Sequence, residues 1–320
     1  MKHLLAIEQL SREGIEAILS RAESFAEVGR RDIKKVPTLR GRTVVTLFYE
    51  SSTRTSSSFE LAAKRLSADL VSVKAAGSSV DKGESLKDTV ATLSAYDPAA
   101  IVIRHPYAGA AQMVAGWTTA AVVNAGDGKH EHPSQALLDV YTLRRRLGSL
   151  DGRNIWIVGD VLHSRVARSN LIAFQRLGAK VTVCGPPTLI PRGIEELGCA
   201  VSYTLDGIEE ADVVYALRMQ QERMSESFVP SLREYAATFQ IDTRRLHPRQ
   251  LLMHPGPVNR GVELSGEAID SPQSLIAEQV AAGLVVRMAI LFELLAGNER
   301  PVPASDGDGE PSPTPIGQPA

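Results

Sequence analysis

Thr43-Val44-Val45-Thr46-Leu47-Phe48-Tyr49, followed one residue later by Ser51-Ser52-Thr53-Arg54-Thr55-Ser56-Ser57-Ser58-Phe59-Glu60, is the stretch that decides the fold. The first run is β-branched and aromatic, the pattern of a buried strand. From Ser58 to Leu66 the apolar residues Phe59, Leu61, Ala62, Ala63 and Leu66 take helical spacing. Between the two, hydroxyl side chains crowd around one guanidinium. A turn from strand into helix exposes unpaired N–H groups and the positive end of the helix dipole, where phosphate binds favourably. The junction therefore reads as an anion cradle, with Arg54 offering a planar fork and Ser52, Thr53 and Thr55 offering hydroxyl donors. An ordinary N-cap with spare serines is the plainer account of the same residues.

Outward from this junction the strand-then-helix pattern repeats. A helix from about Arg12 to Val28, capped by Ser11, precedes it. Apolar runs at Thr43–Tyr49, Leu70–Ala75, Ala99–Ile103 and Ala121–Asn124 alternate with helical patterns at Ser58–Leu66, Ser85–Ala95 and Gly109–Ala115. A long amphipathic pattern from Pro133 to Leu147 leads into a second series of strands at Asn154–Val158, Lys180–Cys184, Ala200–Tyr203, Asp212–Ala216 and Gln250–Met253. This alternation predicts an α/β chain with two parallel sheets joined by a helix, and ligands at the carboxyl ends of the strands, between the lobes.

The bulk properties set limits. The 320 residues leave room for two domains, and 43% hydrophobic content is enough for real cores. With 35 basic and 37 acidic residues the net charge is -2, so neither nucleic acid nor an anionic membrane is an expected partner, and any anion site is local. Cys184 and Cys199 have no metal or redox spacing and read as buried free thiols, which fits a reducing cytoplasm. Charge interrupts the first residues too early for a signal peptide. The most apolar long segment, Leu275 to Ala296, carries Glu278, Arg287 and Glu293 and reads as a packed amphipathic helix rather than a membrane span. From Pro301 onward Pro, Gly, Ser and Asp dominate, and a flexible tail is expected over 301–320.

The second lobe tests the obvious nucleotide-binding alternative. After Ile155-Trp156-Ile157-Val158 comes Gly159-Asp160-Val161-Leu162-His163-Ser164-Arg165, with one glycine where a dinucleotide fingerprint needs three. Arg165 instead stands where a helix begins beyond a strand end, a position suited to a carboxylate. Further clusters fall at predicted strand ends or loops: Lys82-Gly83-Glu84, Arg104-His105-Pro106, His132-Pro133-Ser134-Gln135, Arg218-Met219-Gln220 and His254-Pro255-Gly256-Pro257. Each alone is explained equally well as a solvated charge, a strand-end ion pair or a helix cap.

Their joint order, Ser-Thr-Arg-Thr, Lys-Gly-Glu, Arg-His-Pro, His-Pro-Ser-Gln, Arg-x-Gln, His-Pro-Gly-Pro, resembles that of the aspartate carbamoyltransferase catalytic chains, within the aspartate/ornithine carbamoyltransferase superfamily, over nearly the full length to about Gly297. The resemblance implies transfer of the carbamoyl group of carbamoyl phosphate to L-aspartate, giving N-carbamoyl-L-aspartate and phosphate on the route to pyrimidines, with no metal or cofactor. It implies two Rossmann-like domains linked by helices, with a C-terminal helix closing back on the first. The expected carbamoyl-phosphate domain is 1–133 plus about 281–300, and the expected aspartate domain is 134–280.

By motif, the resemblance assigns Ser52, Thr53, Arg54 and Thr55 to the phosphate, and Thr55, Arg104 and His132 to the carbonyl oxygen. Gln135 and the backbone around Pro255, Gly256 and Pro257 are assigned to the carbamoyl NH2. Arg165 is assigned to the α-carboxylate of aspartate, and Arg218 with Gln220 to its side-chain carboxylate. Ser78 and Lys82 are implied to enter the site of a neighbouring chain in a homotrimer, Lys82 touching both substrates. Gly256 departs from relatives with a larger apolar residue there, so its contact is made by backbone. Pro257 to Glu263 matches the bacterial branch whose catalytic chains associate with dihydroorotase-like partners, and the choice between such a partner and a regulatory chain stays open.

Two rivals have discriminating residues. An ornithine carbamoyltransferase binds a cationic side chain, typically with a Ser-Met-Gly loop and a His-Cys-Leu-Pro motif. Here stand Arg218-Met219-Gln220 and His254-Pro255-Gly256-Pro257, and Lys82 repels a cation. A noncatalytic binding subunit is expected to lose some of Arg54, Lys82, Arg104, His132 and Arg218, and all five are present.

Overall fold

The computed structural model describes residues 1–74, 83–220 and 228–296. Ser78, Lys82 and the 301–320 tail lie outside the described residues. Among those described, the alternation of strands and helices gives two sheets. The first contains β1 (Thr43–Phe48), β2 (Asp69–Lys74), β3 (Ala100–His105) and β4 (Ala121–Asp127) in the order β2-β1-β3-β4. The second contains β5 (Asn154–Val158), β6 (Lys180–Cys184), β7 (Ala200–Ser202), β8 (Val213–Ala216) and β9 (Leu251–Met253) in the order β7-β6-β5-β8-β9. Every pairing within both sheets is parallel.

Parallel strands are buried on both faces, and the side-chain period of two divides their residues between two layers. Val44 and Phe48 of β1 enter one core, while Val45 and Leu47 enter another on the opposite face. In the second sheet Ile155 and Ile157 face one way, and Trp156 and Val158 the other. One of these cores is continuous from Val44, Val102 and Val123 of the first sheet to Ile157, Val213 and Tyr215 of the second. The helices that fill it are α1 (Arg12–Val28), α2 (Thr53–Arg65), α5 (Pro133–Leu147), α6 (Arg165–Arg176) and α9 (Ile276–Leu295). The opposite face of the first sheet is covered by α3 (Leu86–Ser94) and α4 (Ala110–Trp117). Two shorter helices, α7 (Leu232–Phe239) and α8 (Gly266–Ile269), complete the second lobe.

The C-terminal helix α9 packs against α1, α2 and α5, closing back on the first lobe as expected. No described helix is long and apolar enough to span a membrane. The edge strand β2 is an exception to the burial of parallel strands, for every one of its residues is exposed or only half-buried.

The expected elements are present, with shifted ends. The largest shift is in α2, which starts at Thr53 rather than Ser58. Hydroxyls of the first turns bond within the helix: Ser58 Oγ donates to the Arg54 carbonyl at 2.6 Å, and Ser56 Oγ to Glu60 at 2.9 Å. Of the residues read in the sequence as an anion cradle, Thr53, Arg54 and Thr55 thus form the first helical turn and Ser52 is its N-cap.

Candidate active site

Strand order locates the site before any side chain is considered. The chain runs from β1 outward to β2 and then crosses to β3 on the other side of β1; it runs from β5 through β6 to β7 and crosses to β8. Each reversal opens a crevice at the carboxyl ends of the strands, where open parallel sheets bind ligands. Glu50 and Arg54 follow β1, and Arg104 is the penultimate residue of β3. Residues following β5 and β8 are Asp160, Arg165, Arg218 and Gln220.

The two crevices meet. A Cβ placed on Gly256, in the loop after β9, comes within 2.8 Å of the Arg54 guanidinium carbon, so first-lobe Arg54 lies directly on the second-lobe backbone. Gly256 has a φ of 61°, in the left-handed region that favours glycine. Desolvation, and after it the positive charge of Arg218, lowers the pKa of Arg54. Three helices, α2, α5 and α6, begin at this crevice, at Thr53, Pro133 and Arg165. Ser52, the N-cap of α2, makes no side-chain capping bond, and Thr55 is buried in the first turn.

Glu50, which the sequence reading passed over, organises the other cations. Its Oε2 lies 3.1 Å from Arg104 Nε and 2.5 Å from Arg165 Nη2, joining a first-lobe strand end to the first residue of a second-lobe helix. Arg104 Nη1 also donates to the Ala125 carbonyl at 3.3 Å. Arg165 is buried, and its Nη1 has no hydrogen-bond partner among the described residues. A buried guanidinium N–H left unmatched is costly, and a carboxylate oxygen is its natural complement. Gly126, at a φ of 114°, leaves room for this side chain: a Cβ there falls 3.0 Å from the Arg165 guanidinium carbon.

His132 is buried at the N-cap of α5. Its backbone N–H donates to Ser169 Oγ at 2.9 Å, and Ser169 donates in turn to Glu131 Oε2 at 2.9 Å. Glu131 also receives the Ile7 N–H at 2.7 Å, and burial raises its pKa. Gln135, one turn into the helix, donates its amide to Asp139 Oδ1 at 3.0 Å. His105 takes no part in the crevice: it accepts the Tyr107 N–H at 3.1 Å and packs against Tyr49 and Tyr107.

On the second-lobe side the Gly256 N–H donates to His254 Nδ1 at 2.8 Å, so the ring proton sits on Nε2, 3.2 Å from buried Glu263. Glu263 Oε1 holds the Asn259 N–H at 2.6 Å, and Asn259 Nδ2 reaches the Met219 carbonyl at 3.2 Å. Asp160 accepts from His163 Nδ1 at 2.8 Å and from the Gln220 N–H at 3.3 Å. The Arg218-Met219-Gln220 strand end is thereby fastened on both sides.

Of the residues singled out in the sequence, Arg54 meets Gly256 and feels the charge of Arg218, Arg104 and Arg165 share Glu50, and His132 and Gln135 open the helix between the lobes. Ser78 and Lys82 lie outside the described residues. Glu50, Glu131, Asp139, Ser169 and Gln279 were missed. Glu50 carried a signal, a lone acid between a buried strand and an anion motif, but its partners are 54 and 115 residues away.

Comparison with known proteins agrees with this geometry. The family model for the aspartate/ornithine carbamoyltransferase carbamoyl-P binding domain matches residues 2–145, and that for the Asp/Orn binding domain matches residues 151–294. The chain is 56% identical over 303 residues to the aspartate carbamoyltransferase catalytic subunit of Acidothermus cellulolyticus, spanning 93% of this chain and 94% of that one. It is 53% identical over 310 residues to that of Mycolicibacterium smegmatis, spanning 93% and 98%. Among solved structures it superposes on Trypanosoma cruzi aspartate transcarbamoylase in complex with N-(phosphonacetyl)-L-aspartic acid with a TM-score of 0.84, at 33% identity over 92% of this chain and 96% of that one. The catalytic subunit of M. jannaschii aspartate transcarbamoylase gives 0.82 at 35% identity, over 93% and 99%.

Proposed function

This chain belongs to the aspartate/ornithine carbamoyltransferase family, and from that premise we propose how its residues divide the work. The reaction is transfer of the carbamoyl group of carbamoyl phosphate to the amine of L-aspartate, giving N-carbamoyl-L-aspartate and phosphate on the pyrimidine route. The observation that supports the reading is the close approach of Arg54 to the Gly256 backbone, with the charge of Arg218 bearing on it, which joins the Ser-Thr-Arg-Thr stretch of one lobe to the His-Pro-Gly-Pro stretch of the other.

In this reading Ser52, Thr53, Arg54 and Thr55 hold the phosphate at the start of α2. Thr55, Arg104 and His132 donate to the carbonyl oxygen, where negative charge grows as the neutral amine attacks; one such donor is worth about 3 to 4 kcal/mol. Gln135 and the backbone at Pro255, Gly256 and Pro257 accept from the carbamoyl NH2. Arg165 takes the α-carboxylate, and Arg218 with Gln220 takes the other. The nitrogen–carbon bond forms as the carbon–oxygen bond to phosphate breaks, and the departing phosphate accepts the amine proton. Holding two small reactants in register contributes about 7 to 11 kcal/mol, so positioning and charge stabilisation account for most of the rate.

The working form in this reading is a cytoplasmic homotrimer, with Ser78 and Lys82 delivered to a neighbour's site. The exposed edge strand β2 supports it, since parallel strands are ordinarily covered and this one runs directly into that segment. The test is a carbamoylation assay offering aspartate and ornithine in parallel, with Arg54→Ala and Lys82→Ala alongside. Aspartate alone is carbamoylated, each variant is nearly inactive, and mixing the two under subunit exchange restores part of the activity. Carbamoylation of ornithine overturns the substrate assignment, and no recovery on mixing overturns the shared site.

A further inference from the structure

Asp139, on α5, is fully buried and accepts four hydrogen bonds from four elements. Its Oδ1 receives Gln135 Nε2 at 3.0 Å and Gln279 Nε2 at 2.7 Å; its Oδ2 receives Asn170 Nδ2 at 2.9 Å and the Tyr215 hydroxyl at 2.7 Å. The donors come from α5, α9, α6 and β8 respectively.

An ionised carboxylate only accepts, whereas a primary amide has one donor end and one acceptor end. Gln135 therefore turns its NH2 toward Asp139 and its carbonyl oxygen away from it. Gln279 is oriented by the same rule, and its Oε1 accepts the His254 N–H at 3.0 Å. His254 in turn holds the Gly256 N–H on its Nδ1 at 2.8 Å. From one carboxylate oxygen, then, one relay orients a glutamine acceptor on α5 and a second fixes the backbone of the loop after β9.

We propose that Asp139 is a positioning residue that presets both acceptors of the carbamoyl NH2, the Gln135 carbonyl oxygen directly and the Pro255–Gly256 backbone through Gln279 and His254. This rests on the reading given under Proposed function, which assigns those acceptors to carbamoyl phosphate. Asp139 touches neither substrate. The hub has two halves: Oδ1 serves the crevice, and Oδ2 ties α6 and β8 into the core. The buried Arg287 on α9 adds its positive charge nearby, favouring the ionised carboxylate, and donates its Nη1 to Ser58 Oγ at 2.6 Å.

The two halves give a test that separates positioning from mere support. Acetyl phosphate carries a methyl group where carbamoyl phosphate carries NH2, so the ratio of their affinities reports the acceptors and little else. Calorimetry on the full chain measures this ratio in the unsubstituted protein, Asp139→Leu, Gln279→Leu and Tyr215→Phe. In Asp139→Leu the preference for carbamoyl over acetyl phosphate falls about tenfold, the value of one or two hydrogen bonds. In Gln279→Leu it falls by a smaller factor, and in Tyr215→Phe, which removes a donor from the other half, it stays within about twofold. Equal weakening of both ligands in Asp139→Leu overturns the proposal, as does an equal fall in Tyr215→Phe. If Asp139→Leu does not fold, an unchanged ratio in Gln279→Leu overturns it. Failure of the unsubstituted protein to take up carbamoyl phosphate removes the underlying functional reading instead.

Discussion

Arg54 and Arg165 both stand in the first turn of a helix that follows a parallel strand, but their surroundings are opposite. The charge that bears on Arg54 is that of another cation, Arg218, and its guanidinium rests on a glycine. Arg165 is buried and already holds the carboxylate of Glu50 at 2.5 Å. An anion arriving at Arg54 relieves repulsion between like charges, whereas one arriving at Arg165 shares a cation with an internal acid. Under the proposed assignment of phosphate to Arg54 and a carboxylate to Arg165, the first end gains by filling and the second exchanges one partner for another while Glu50 keeps the lobes in register.

The strongest way to break this contrast is Arg54→Ala. It removes the only side chain of α2 with a forked donor from the crevice, and kcat/KM is expected to fall about a thousandfold with the melting temperature nearly unchanged. A fall below about tenfold in a steady-state assay removes the phosphate helix from the mechanism.

Glu50→Gln comes next. The amide keeps the shape but not the charge, so Arg104 and Arg165 lose their common anchor, and kcat/KM falls by about tenfold to a hundredfold, with saturation by both substrates affected. An effect confined to aspartate separates Arg104 from this network.

Asp139 sharpens the comparison through pH. Burial raises its pKa from the ordinary 3.8 to about 6, with the four hydrogen bonds acting against that rise. Because the folded-state value lies above the unfolded one, the folded chain binds this proton more tightly. The resulting stabilisation is complete below pH 3.8 and is lost as pH rises through about 6. The gap corresponds to about 3 kcal/mol, so the stability of the unsubstituted chain relative to Asp139→Asn is expected to increase by that order between pH 7.5 and pH 3.8, read from urea midpoints. A pH-independent difference means that Asp139 is not titrating in the fold.

The smallest effects come from two N-caps. Ser85 caps α3 in the first lobe, and Ser164 caps α6 immediately before Arg165. Replacing either by Ala costs about 1 kcal/mol of stability. Of the two, Ser164→Ala is expected also to raise the KM for aspartate, because that cap fixes the helix start carrying Arg165, the cation proposed to take the α-carboxylate.

The first region was legible because its logic is local. Strand, hydroxyls, guanidinium and helix lie within 18 consecutive residues, Thr43 to Glu60, and each implies the next. Parallel sheets were legible for the same reason, since alternating strand and helix patterns leave few topologies. The second region's residue types were visible, but their fastenings were not. Gln279 meets Asp139 across 140 positions, and Arg165 meets Glu50 across 115. A Gln in an apolar helix or an Asp within an amphipathic one carries no periodic signature of its partner. The early start of α2 was missed because Ser and Thr read as loop formers, until their hydroxyls were seen bonding back to carbonyls of the same helix.

Three helices open onto one crevice, and each brings about half an elementary positive charge in its exposed N–H groups. Together with the arginines they give a protein of net charge -2 a mouth of the opposite sign. Field lines of this kind concentrate in a low-dielectric cleft and draw small dianions inward from solution. At physiological ionic strength counterions confine the pull to about 8 Å, so capture strengthens as salt is diluted. The chain is in this sense a nearly neutral body with a funnel for acids.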